Sequence, residues 1–162
     1  TWKKVGYSTT VKPDKYDSTV LYGLEAGKYR LALKTSKDQI INVEYTRDKS
    51  KKKAAYKKSK AIHLKSDIDS IYTSTEKAAR WYKVSVSSTK KRKAVTLSKD
   101  SVGGGFKFCV YQKGKRLKTV KVTKNDKVKT VKLPKKKGAY YVKVTKLTSK
   151  TTGAYYLGTY TY

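Results

Sequence analysis

Only one cysteine, Cys109, occurs in these 162 residues. No internal disulfide can form, so the fold must be held by its core. Histidine is equally rare. His63 stands alone, with no Cys or acidic cluster at ligand spacing, which leaves zinc-type sites without donors. Acids are scarce too: 11 Asp+Glu face 41 Lys+Arg, a formal charge of +30. Few carboxylates remain for acid–base pairs or hard-cation cages. Arginine is confined to Arg30, Arg47, Arg80, Arg92 and Arg116, the other bases being lysine. Base-edge readout and bidentate phosphate recognition favour arginine, so a sequence-specific nucleic-acid reader is not expected. No apolar run is long enough to span a membrane and no leader-type segment is seen.

What is present is alternation. Tyr82, Val84 and Val86 oppose Trp81, Lys83 and Ser85. Tyr140, Val142 and Val144 oppose Tyr141, Lys143 and Thr145, and Tyr29, Leu31 and Leu33 oppose Arg30, Ala32 and Lys34. Period two with one apolar face predicts antiparallel strands, half on a core and half in water. Turn chemistry separates the runs: Gln112-Lys113-Gly114-Lys115, Lys124-Asn125-Asp126-Lys127, and Pro134 followed by Gly138. Gly103-Gly104-Gly105 precedes the run Phe106–Tyr111 and predicts a bend or bulge. It makes no phosphate loop, because no Gly-Lys-Ser/Thr follows and a strand comes next. Short strands at this spacing predict an all-β chain, an antiparallel β-sandwich.

The chain also repeats itself. Residues 130–144 and 19–33 align without a gap, matching Thr130, Val131, Gly138 and Tyr140 with Thr19, Val20, Gly27 and Tyr29. Each copy reads as strand, turn and strand. Residues 48–60 break the pattern with a lysine-rich stretch, either a short helix capped by Asp48 or a solvated linker. The expected organisation is a partial β-hairpin repeat over 1–47, the basic segment 48–60, and a sandwich over 61–162. The opening strands of the first copy are expected upstream of Thr1 or supplied differently; a piece this short buries too little to fold alone, so it is expected to dock on the sandwich or to need those strands.

Five stretches in order resemble the bacterial pre-peptidase C-terminal domain family: Ala61–Leu64, Trp81–Val86, Phe106–Leu117, Val131–Val144 and Thr152–Leu157. The two closing motifs are the specific ones, Val-x-Leu-Pro…Gly-x-Tyr-Tyr-Val-x-Val and Thr-Gly-x-Tyr-x-Leu. The resemblance implies a jelly-roll-like sandwich, related to collagen-binding sandwiches, carried as a non-catalytic module by secreted bacterial proteins. Many relatives place Asp-x-Asp before the aromatic strand, whereas this chain has Ala78 and Arg80 there. Calcium is therefore not expected, and neither is any other metal or cofactor.

Two residue types remain for function. Fifteen tyrosines and two tryptophans are unusually many, and the closing strand should point Tyr156, Tyr160 and Tyr162 outward while Tyr155 and Leu157 face the core. Trp81 and Tyr141 are predicted to face outward as well, beside Lys83 and Lys143. If the strands are neighbours, these rings form one platform rimmed by lysine, with Lys135, Lys136 and Lys137 adding charge. The alternative is that aromatics simply cover sheet surface. His63 reads as a packed or exposed strand residue. Cys109 reads as a structural thiol, with an outward reactive thiol near Lys107 as the other reading. Asp67 and Asp69 read as solvated acids. No nucleophile–base spacing occurs, so no catalytic residue is named and no enzyme is expected.

The function that follows is an accessory binding module of a secreted or cell-surface bacterial protein. It would contact an anionic polymer, a glycan or an extracellular-matrix-type protein through lysines and exposed tyrosines. Other domains of the same parent are expected partners. A ligand-free structural spacer is the alternative, and a non-specific nucleic-acid binder a third class.

Overall fold

In a strand, successive side chains point to opposite faces, so an alternating segment folds only where one face meets a core. The computed structural model of the chain describes residues 10, 12, 28–35, 40, 43, 54–65, 68–72, 78–123, 125–126, 128–149 and 151–162. Alternation becomes sheet throughout the C-terminal two-thirds. The strands are β1 (Ile62–His63), β2 (Ile68–Tyr72), β3 (Arg80–Val86), β4 (Lys93–Gly103) and β5 (Phe106–Gln112). They continue as β6 (Lys115–Val122), β7 (Val128–Lys132), β8 (Gly138–Lys146) and β9 (Thr152–Thr161).

One sheet has the order β1-β3-β8-β5-β6 and the other β2-β9-β4-β7. All pairings are antiparallel except β1 with β3, a short parallel strip on the edge. Leaving β1 aside, the order is that of a jelly roll, the chain switching sheets at every connection except the β5–β6 hairpin. The expected all-β sandwich is the fold.

The predicted inward residues meet between the sheets. Tyr82, Val84, Val86, Tyr140, Val142, Val144, Tyr155 and Leu157 are all buried, together with Phe106, Phe108, Val110, Val95 and Leu97. Two large polar side chains sit among them without loss. The hydroxyls of Tyr82 on β3 and Tyr155 on β9 hydrogen-bond to each other, joining the sheets through the core. Tyr155 also presents its ring to Phe106 at 5.1 Å. Burying a phenol requires such partners, since an unpaired buried hydroxyl costs about 1–3 kcal/mol.

The turns follow their chemistry. Lys113 and Gly114 both take positive φ, 48° and 79°, the geometry of a two-residue hairpin turn whose twist matches the strands. At Gly103–Gly105 the β4–β9 register shifts between Asp100 and Gly103, as the triplet predicts. A Cβ on Gly105 would lie 2.0 Å from the Val122 carbonyl oxygen, so backbone fills the place of a side chain. In the β6–β7 turn, Thr123 donates to the Asp126 carboxylate from both its backbone N–H (2.9 Å) and its hydroxyl (2.7 Å).

The basic segment ends in a single 3-10 turn, Lys58–Lys60, lying against the sandwich. Ala55 is buried, and its carbonyl accepts from Trp81 N–H at 2.8 Å. The proposed Asp48 cap lies outside the described residues, as does most of the 1–47 segment. Within 28–35 no strand forms, and Tyr29, Leu31 and Leu33 are exposed. Alternation by itself does not make a sheet, which needs further strands to cover its apolar face.

Candidate functional site

Each sheet turns one face outward, and each outer face carries aromatic rings beside lysine. The single platform expected from the sequence is not what the fold builds. Trp81 and Tyr141 belong to β3 and β8 in the five-stranded sheet, whereas Tyr156 and Tyr160 belong to β9 in the other, with Tyr162 just beyond it. The chain changes sheets between β8 and β9, so the two sets lie on opposite sides of the core. Alternation specifies inside and outside, but not which outside.

On the five-stranded sheet, register brings the expected group together. Trp81 pairs with Lys143, and Lys83 with Tyr141. Lys143 Nζ lies 5.5 Å from the Trp81 ring centre, and Lys58 Nζ lies 4.8 Å from that of Tyr141. These are cation–π distances, the ammonium resting on the negative ring face. Tyr111 joins them, its ring 5.6 Å from that of Trp81. Tyr111 is not among the rings expected on the platform, although alternation with Phe106, Phe108 and Val110 already sends it outward. What the pattern lacked was the neighbour, since β5 pairs with β8 and sets Tyr111 opposite Tyr141.

Cys109 is on this same outer face, yet it is only 6% exposed. Its thiol lies 3.4 Å from the Thr119 hydroxyl, and its register neighbour is Lys143. Both readings of Cys109 are thus half met: it points away from the core and is buried all the same. Burial also pushes the Tyr111 phenol above its ordinary pKa; the Cys109 thiol adds to this and Arg116 opposes it. Together with the docked 54–58 segment, these contacts leave Trp81, Tyr141, Lys83 and Lys143 half-buried. His63, paired with Lys83, is exposed at the edge.

The face of the four-stranded sheet is more open. Tyr156 is 41% exposed and Tyr160 47%, with Tyr162 alongside. The Tyr160 and Tyr162 rings are 5.8 Å apart, and Lys132 Nζ lies 5.0 Å from the Tyr162 ring centre. Between Tyr156 and Tyr160 stands Gly158, which pairs with Thr96, and Thr96 in turn hydrogen-bonds across to Thr130 at 3.0 Å. Ala94, register partner of Tyr160 and Lys132, is fully covered. The result is a flat strip with small residues for a floor and tyrosines standing up from it. Asp69 pairs with Tyr156 in backbone register, while Asp67 lies outside the described residues.

Lys135, Lys136 and Lys137 join neither face. They are exposed on the loop between β7 and β8, at one end of the sandwich. The buried Tyr140 holds that loop, its hydroxyl donating to the Lys136 carbonyl at 2.9 Å with the Pro134 carbonyl at 3.2 Å. Gln112 reaches the Lys137 carbonyl from the neighbouring hairpin.

Among the described residues, no three His, Cys, Asp or Glu side chains converge on one point, and no helix is long and apolar enough to cross a membrane. Arg80, at the position of the missing acid, is buried.

Comparison with family models returns no match, and comparison with curated proteins returns none either. Among solved structures the chain is similar to the crystal structure of the pre-peptidase C-terminal domain of collagenase from Bacillus anthracis. The TM-score is 0.48 and the identity 17%, over 70% of this chain and 100% of that one. A likeness of that size assigns neither ligand nor activity to this chain.

Proposed function

We propose that the chain is a non-catalytic accessory module of a secreted or cell-surface bacterial protein, of the pre-peptidase C-terminal kind. It binds an anionic or extended polymer, whether cell-wall polymer, glycan or fibrous protein. The observation that carries this reading is the strip on the four-stranded sheet, where three exposed tyrosines stand on a floor of Gly158, Ala94 and Thr96 beside Lys132. A flat aromatic strip suits the flat face of a repeating polymer, and phenols make contact area while keeping their hydroxyls wet. The charge of +30 draws an anionic chain in from a distance. The family reading rests on the two closing motifs at 131–144 and 152–157 and on the order of all five stretches.

The test is retention of the full chain on Gram-positive cell wall, mucin, collagen and cellulose at physiological salt. Tyr156→Ala/Tyr160→Ala is the partner variant. Retention on one polymer that weakens roughly tenfold or more in the variant, about 1.4 kcal/mol, supports the reading. Retention on none of them sinks it and leaves the spacer alternative, which the repeat at 19–33 and 130–144 favours.

A further inference from the structure

The strand directions gather three connections at one end of the sandwich. They are the loop 87–92 from β3 to β4, the turn at Lys113–Gly114, and the loop 133–137 from β7 to β8. Backbone bonds and one side-chain bond lock them to each other and to Tyr162. Leu133 N–H donates to the Lys93 carbonyl at 2.8 Å, and Arg92 and Tyr162 exchange bonds at 3.0 and 2.9 Å. Gln112 adds its bond to the Lys137 carbonyl at 3.4 Å. Three stretches distant in sequence thus form one tip.

The tip is uniformly cationic. The first loop brings Lys90, Lys91 and Arg92, the turn brings Lys113, and the last loop brings Lys135, Lys136 and Lys137, all exposed. None of the three stretches contains an acid. Asp126, which pairs with Lys129 at 2.7 Å, lies in the β6–β7 turn at the opposite end. Asp100 stands near that end too, its backbone paired with Ala154. Like charges gathered at one end repel each other, and a bound anion offsets that repulsion.

The chemistry of the tip narrows the partner. A cleft of about 290 Å³ opens there, lined by Ser87, Ser88, Lys90, Lys91, Lys93 and Thr161. Its side chains offer ammonium and hydroxyl donors, with no carboxylate. Lysine meets phosphate as a point charge, and Arg92 is the one forked group on these loops for bidentate recognition. The three stretches hold no aromatic residue; the exposed rings near this end, Tyr160 and Tyr162, stand on the four-stranded face beside the loops. Strands β3, β8, β5 and β6 lie side by side under the tip, about 14 Å across at ~4.8 Å per spacing. That span suits a flexible chain laid over several cations.

We propose that this end is a docking site for a linear, base-free phosphodiester polymer of the poly(glycerol phosphate) type. The inference rests on the polymer-binding reading above and gives it a second location and a chemical class.

The test is titration of the full chain with fluorescent poly(glycerol phosphate), with heparin and duplex DNA as competitors. The tip variant is Lys91→Gln/Lys113→Gln/Lys136→Gln. The charge-matched control is Lys99→Gln/Lys107→Gln/Lys121→Gln, and Tyr156→Ala/Tyr160→Ala is run beside them. The expected result is at least tenfold weaker binding for the tip variant and less than twofold for the control. Raising salt from about 50 to 200 mM should weaken binding about 100-fold if roughly five phosphates are neutralised. Equal losses in tip and control variants overturn the proposal, as does preference for heparin or duplex DNA. Loss confined to the tyrosine variant also overturns it but leaves the sheet-face reading standing. Retention of no polymer of any kind removes both.

Discussion

The side chains that matter most singly are polar groups in apolar places. Tyr82 and Tyr155 bring phenols into the centre of the core and satisfy each other across the two sheets. Removing either hydroxyl leaves the other with one partner fewer, at about 1–2 kcal/mol. Tyr82→Phe and Tyr155→Phe should each lower the urea midpoint, and the double variant should lose less than the sum of the two. Strict additivity in that cycle would show that the pair is not coupled. Both tyrosines were legible as core from alternation. That their hydroxyls meet was not, because β3 and β9 lie in different sheets and no local pattern records what faces them across the core.

Turns and strands follow local chemistry more closely. Gly105 is glycine because the Val122 backbone occupies the place of its Cβ. Gly105→Ala should destabilise by about 1–3 kcal/mol or more, measured by thermal or urea unfolding. An effect below a few tenths would mean that the strands slide apart freely there. In the β6–β7 turn, the Lys129 ammonium and the Thr123 donors hold the Asp126 carboxyl well below the usual carboxylate range. A carboxyl depressed in the folded state stabilises above its unfolded pKa of about 3.9 and loses that contribution as pH falls. Asp126→Asn should therefore lower stability at neutral pH, with the gap to the parent protein closing steadily below about pH 4. A gap that stays constant down to pH 2 would mean that the carboxylate charge plays no part. The turn itself was readable from Lys124–Lys127; the Lys129 partner was not, since it is already on the next strand.

For the whole molecule, the sandwich partitions one set of outward residues between two faces and one end. Trp81, Tyr141 and Tyr111 lie on one side, Tyr156, Tyr160 and Tyr162 stand on the other, and Lys135–Lys137 cap the tip. The two faces are separated by the thickness of a sandwich, about 10 Å between sheets. Groups that far apart act independently. Trp81→Ala/Tyr141→Ala and Tyr156→Ala/Tyr160→Ala should thus have additive effects on polymer affinity, within about 0.5 kcal/mol. Strong coupling between the two pairs would point to one ligand gripping both sheets at once.

Composition and period carried much of this protein in plain view. Alternation at 81–86, 106–111, 140–145 and 155–157 is enough to make β-strands with known inner faces, because a two-residue period leaves only one way to bury the apolar set. The scarcity of His, Cys and acid likewise set the expectation of a non-catalytic chain before any fold was known. The pairing partners were beyond it. The order β3-β8-β5-β6 against β2-β9-β4-β7 depends on long-range contacts that no window of sequence contains. That order splits the predicted platform in two, buries an outward-pointing Cys109 beneath its neighbours, and draws three separate lysine loops into one end. The alternating apolar run at 29–33 shows the converse: the same pattern forms no strand there and stays exposed. A strand is a local tendency, whereas a sheet is a choice of neighbours.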